Sequence, residues 1–161
     1  MSKILNKIRI PDKSIKTKNK ILSTFLIFLL GVILGVFSKW LDNLSINDSI
    51  WWQHILGILD LRNIFSMLGI WIFIAITISV FSKTPLRASI NVLMFFIGMT
   101  TSYHLYTIFF SGFNPTKYMM IWYGITLISP LLAYICWYSK GTSKISMLIS
   151  SVIFCVRNMV F

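Results

Sequence analysis

The sequence predicts an all-α protein: a polytopic bundle of transmembrane helices with five visible spans and a short interfacial helix. Three observations carry that reading. Near-uninterrupted apolar runs cover 21–37, 64–81, 88–110, 118–138 and 145–161, and each approaches the roughly 20 helical residues that cross a hydrocarbon core about 30 Å thick. Hydrophobic residues make up 57% of the chain and charged ones only 12%. A soluble domain carries about 25% charged residues, so most of this surface must meet lipid. Finally, the basic residues collect on alternate loops. The organisation expected is a basic cytoplasmic tail over 1–20 and a bundle over 21–161, with spans at 21–40, 64–81, 88–110, 118–138 and 145–161.

The net charge of +11 reads as a membrane signal and not a nucleic-acid one, because of where it falls. Seven cations from Lys3 to Lys20 precede the first span. Lys83 and Arg87 follow the second, and Lys140 and Lys144 follow the fourth. If each run crosses once, eleven of the 15 basic residues share one face, and only Lys39, Arg62 and Lys117 border the other. Basic loops stay in the cytoplasm, which predicts a multi-pass cell-membrane protein with its N-terminus inside. The tail is then expected to meet anionic lipid headgroups.

The first run ends in Val36-Phe37-Ser38-Lys39-Trp40 with no small-residue cleavage site, so it reads as an uncleaved helix and not a signal peptide. Gly31 and Gly35, four apart, make a flat stripe on which a second helix can approach closely. Ser38 and Asp42 continue that stripe at helical spacing, and Lys39 can pair with Asp42 across one turn.

Residues 43–63 form the longest loop. Asp48 or Ser49 can cap a short helix in which Ile50, Trp51, Ile55, Ile58 and Leu59 share one side. Such a helix would lie in the interface. A rival reading extends the second span back through this segment, with Asp60 and Arg62 at the lipid boundary. The turn around Pro85 is short, so the second and third spans should be antiparallel neighbours.

The third span is the most polar. From Gly98 to Thr107, seven of ten residues carry a polar side-chain group, among them Tyr103 and His104. Such groups need partners in lipid, so this half should face the bundle interior or a wet cavity. Pro130 in the fourth span should kink it. The fifth carries Arg157, and the chain stops four residues later without a polar flank, as a chain lacking a sixth helix would.

No catalytic motif is present. The chain has four Asp and no Glu, two His fifty residues apart and two Cys placed at different depths. The expectation is a non-enzymatic protein with no metal and no cofactor. Its partners are expected to be the bilayer and other membrane subunits, without nucleic acid. Counting about 1.5 Å per residue from the inner ends puts Lys39 roughly 27 Å up, His104 about 24 Å and Arg157 about 18 Å. Together with Asp42, Arg62 and Tyr103 they are the candidate lining of an outward-facing polar or cationic pocket for a small anionic or polar solute. The function expected from this is the solute-binding part of a transporter. The alternatives are a structural or regulatory membrane subunit without a ligand, and a lipid-acting membrane enzyme.

The stretch from Gly31 through Gly35, Ser38 and Lys39 to Asp42 resembles the opening of an uncharacterised family of small multi-spanning bacterial membrane proteins, described only as a domain of unknown function. That resemblance implies a helical membrane fold and no activity. Size and hydropathy are also similar to the substrate-binding components of energy-coupling-factor vitamin transporters. Those have six helices and an Ala-x-x-x-Ala motif in the first, where this chain has Gly31 and Gly35. The second resemblance implies a small-molecule site and partner subunits.

Overall fold

The computed structural model describes residues 9–10, 17–44, 51, 68–141, 147 and 151. Among these the chain is all-helical, with no strand. Helix α1 spans Thr17–Asn43, α2 Leu68–Phe81, α3 Pro85–Ser111 and α4 Thr116–Trp137, followed by a 3₁₀ turn, Tyr138–Lys140. Three of them, α1, α3 and α4 with its 3₁₀ extension, are long and apolar enough to cross a membrane. The 14 described residues of α2 rise about 21 Å, less than a bilayer core. Of the five expected spans, the last falls outside the described residues except for Met147 and Ser151, both helical. The interfacial helix also lies outside them except for Trp51.

The helices run up and down, which sorts the described charges by end. Arg9, Lys18, Lys20, Lys83, Arg87 and Lys140 lie at one end, termed here the basic end. Lys39, Asp42 and Lys117 lie at the other.

Helix α3 is the central element. It packs on α1, α2 and α4, and α2 packs in turn on α4. Its ends follow from local chemistry. Thr84 is an extended N-cap whose Oγ1 accepts the Arg87 N–H at 3.2 Å, and Pro85 sits where its missing N–H is harmless. Gly112 closes the C-terminus at φ 71°, a left-handed conformation that glycine adopts without strain.

Close approach of α1 to α3 rests on three glycines. A Cβ on Gly31 would fall on the Phe95 carbonyl, and one on Gly35 on the Met99 carbonyl and the Ser102 hydroxyl. From the opposite side, a Cβ on Gly98 would lie 2.6 Å from the Phe28 carbonyl. Bare backbone thus meets bare backbone, which gives dispersion contact where no hydrophobic drive exists between helices in lipid. On α1 the side chains of Ile21, Leu22, Phe25, Leu26 and Ile33 are exposed, as a lipid-facing surface requires.

The core lies between α2, α3 and α4, on Trp71, Val92, Phe95, Phe96, Met99, Met119, Trp122 and Ala133. Pro130 sits inside a continuous α4. It has no N–H to offer the Thr126 carbonyl, and the Ser129 hydroxyl donates to that carbonyl instead, at 2.8 Å. Among the described residues no buried side-chain nitrogen or oxygen is left without a partner.

Candidate functional site

Two polar clusters sit at opposite ends of the bundle. At the far end from the basic residues, α1 presents Ser38, Lys39 and Asp42 to α3. The Tyr103 hydroxyl donates to Asp42 Oδ2 at 2.8 Å. Lys39 is nearly buried and turns its ammonium to aromatic faces, 5.4 Å from the Tyr103 ring centre and 5.5 Å from that of Phe113. A desolvated ammonium over two ring faces is held by their quadrupoles. The Lys39–Asp42 neighbour pair expected from helical spacing is therefore replaced by a relay in which Tyr103 serves both, its hydroxyl to the carboxylate and its face to the cation.

A cavity of about 20 Å³ adjoins this cluster, walled by Ser38, Asp42, Tyr103, Thr100, Trp71 and Trp122 among others. That volume suits about one water molecule. Three other hydroxyls of the third span are bonded back along their own helix. Thr100 donates to the Phe96 carbonyl at 2.6 Å, Ser102 to Met99 at 3.1 Å and Thr107 to Tyr103 at 2.8 Å. Hydroxyls that bond back along their own helix satisfy themselves without a cavity.

His104 belongs to a different contact. Its Nδ1 lies 2.8 Å from the Tyr123 hydroxyl and its Nε2 3.0 Å from Asn114 Oδ1. A tautomer with Nε2 donating and Nδ1 accepting satisfies both. The residue ties α3 to α4 and the loop between them. Of the six expected ligand-binding residues, the structure thus joins Lys39, Asp42 and Tyr103, places His104 elsewhere, and leaves Arg62 and Arg157 outside the described residues.

The second cluster, at the basic end, was invisible as a unit in the sequence. Arg9 donates to the Trp137 carbonyl at 2.7 Å and to the Val80 carbonyl at 3.1 Å, and its guanidinium lies 4.1 Å from the Trp137 ring centre. It caps carbonyls that the ends of α2 and α4 leave open. Burial lowers its pKa from the usual arginine value, but a guanidinium keeps its charge. Trp137, fully buried, donates its indole N–H to the Ser82 carbonyl at 2.6 Å. Nearby, Arg87 donates to the Lys20 carbonyl at 2.7 Å, Thr24 to Asn91 Oδ1 at 2.8 Å, and Asn91 to the Ser82 hydroxyl at 3.3 Å. Asn91, a lone amide in an apolar run, is the sequence signal that could have found it.

A search of family models, curated proteins and solved structures returned no match to this chain.

Proposed function

We propose that this chain is a non-enzymatic, multi-pass subunit of the cell membrane with a structural or regulatory role, its basic end in the cytoplasm. The observation that supports this reading most is the self-satisfaction of the Lys39–Asp42–Tyr103 cluster. Its charges are engaged by each other's neighbours, and the adjoining space holds about one water. A cluster built this way locks α1 onto α3. The uneven charge of the two ends supports the orientation.

One observation favours the solute-binding reading, and the likeness to transporter components would accord with it. The same small cavity is lined by a carboxylate, two tryptophans and two tyrosines, a set that suits a polar ligand if the walls move apart.

One experiment separates the two. The full chain is extracted in mild detergent and examined by native mass spectrometry, alongside Asp42→Asn and Tyr103→Phe. The lock reading expects no small polar mass on any of the three, with lowered melting midpoints for both variants. A small molecule retained by the parent and lost from Asp42→Asn would reverse the choice. Orientation is checked by cysteine labelling at Lys83 and Asn114, which must report opposite sides, with Asn114 reached from outside.

A further inference from the structure

The seam between the ends of α2 and α4 is held by contacts that do not involve the arginine seated on it. The Ser79 hydroxyl donates to the Ala133 carbonyl at 2.6 Å, and about one turn on the Trp137 indole donates to the Ser82 carbonyl at 2.6 Å. The Trp137 ring meets the Tyr138 ring edge-on at 4.9 Å and packs with Ala88 of α3. The helices themselves therefore fix the plane of that ring and the carbonyls beside it. Arg9 reaches the seam from 128 residues away in the chain at Trp137 and from 71 at Val80. Its two terminal nitrogens divide between the helices. Nη1 donates to the Trp137 carbonyl at 2.7 Å, and Nη2 donates to the Val80 carbonyl at 3.1 Å and to the Ser82 carbonyl at 3.5 Å. The guanidinium carbon lies 4.1 Å from the Trp137 ring centre.

We infer that the Trp137 face and the carbonyls of Trp137, Val80 and Ser82 form a preorganised guanidinium-binding site, which Arg9 fills as a ligand in cis and which exchanges Arg9 for a guanidinium group from solution. Arg9 is then a latch. Seated, it clasps α2 to α4 and pins the segment that precedes α1; displaced, it releases that segment. Three features of the site agree with this. Its acceptors belong to two helices and lie along the edge of a ring face, a geometry that a planar fork of donors matches. An ammonium is a point charge and cannot bridge both helices while lying flat on the ring. The bonds are charge-assisted, and the ring adds cation–π attraction. The site is also built by contacts other than those of its ligand, so little ordering is needed on binding. Finally, Arg9 is only half-buried, so the guanidinium can leave without unpacking either helix. The site lies at the opposite end from the Lys39–Asp42–Tyr103 lock and stands whichever reading of that cluster holds.

The test uses the full chain in mild detergent. Arg9→Ala should lower the melting midpoint, and added guanidinium chloride should restore most of that loss. Half-rescue is expected at about 1–10 mM, weaker than the tens-of-micromolar ceiling for so small an ion and far below the molar range in which guanidinium unfolds proteins. Sodium and methylammonium chlorides at the same concentrations should restore none of it, and Arg9→Lys should lose nearly as much as Arg9→Ala. A second measurement needs no variant. Cleavage of the parent's N-terminal segment by proteinase K should accelerate with N-acetylarginine amide as 1 + [L]/Kd, about fourfold at three times Kd, and should not respond to N-acetyllysine amide. An Arg9→Ala midpoint equal to the parent's, a midpoint that guanidinium leaves lowered, equal rescue by sodium or methylammonium, or two amides that act alike would each overturn the assignment.

Discussion

Replacing Gly98 by alanine adds one methyl group at a point where two helix backbones touch. The new Cβ would lie 2.6 Å from the Phe28 carbonyl oxygen and 3.2 Å from both the Val32 nitrogen and the Phe28 ring, whereas real Cβ contacts stay above 3.0 Å. The obstacle is a carbonyl fixed in the ladder of α1, so it cannot rotate aside as a side chain would. Helix α1 must withdraw by several tenths of an ångström along its contact with α3, and the Gly31 and Gly35 contacts loosen with it. Overpacking of this kind costs about 1–3 kcal/mol, with a rigid backbone obstacle at the upper end. Alanine's better helix propensity returns about 1 kcal/mol. The net expectation is a loss of about 1–2 kcal/mol. Gly124 supplies the internal control, because a Cβ there meets nothing within 4 Å. Gly124→Ala keeps the propensity gain without the clash and should be neutral or stabilising by up to about 1 kcal/mol. The assay is reversible unfolding in mixed micelles followed by far-ultraviolet circular dichroism. A Gly98→Ala protein as stable as Gly124→Ala would refute the close backbone contact between α1 and α3.

Three further outcomes follow from single contacts. Tyr103→Phe strips Asp42 of its 2.8 Å hydrogen bond and should lose about 1.5 kcal/mol, the lower end for a charge-assisted bond at a half-buried site, read as a lower unfolding midpoint; no shift would remove Tyr103 from the lock. Trp137→Phe leaves the Ser82 carbonyl without its indole partner and weakens the Arg9 stacking. It should cost about 1–3 kcal/mol and speed proteolysis at the N-terminal tail, and a tail cleaved at the parent rate would count against Arg9 as its anchor. Ser129→Ala uncovers the Thr126 carbonyl opposite Pro130 and should lose about 1–2 kcal/mol, whereas an unchanged midpoint would mean that the proline gap is filled in another way.

What the sequence determined by itself is the all-helical class and the placement of α1, α3 and α4, the three helices long and apolar enough to cross a membrane. Those segments are legible because lipid leaves a backbone one choice, to satisfy its own hydrogen bonds within the helix. An apolar run long enough to span therefore announces a helix with no tertiary information. The glycine stripe at Gly31 and Gly35 was likewise legible, since only small residues let helices touch. Its counterpart, Gly98, between Ile97 and Met99, was not legible, because a single glycine has no spacing to read.

The short turn at Pro85 made α2 and α3 legible as neighbours, but the partner of α1 was decided by the tertiary structure alone. Helix α1 packs against α3, which is not its neighbour in the chain, so Asp42 meets Tyr103 and Arg87 meets the Lys20 carbonyl across more than 60 residues. Depth counting put Lys39 roughly 27 Å and His104 about 24 Å up, and the structure sets Lys39 beside Tyr103, the residue before His104. Depth does not specify azimuth, however. His104 follows Tyr103 by one residue, a turn of about 100° around the helix, and that rotation carries it from the α1 contact to the α4 contact. The lock at one end and the Arg9–Trp137 cluster at the other both depend on rotation about helix axes, which an apolar run does not encode and which only the packing of neighbouring helices sets.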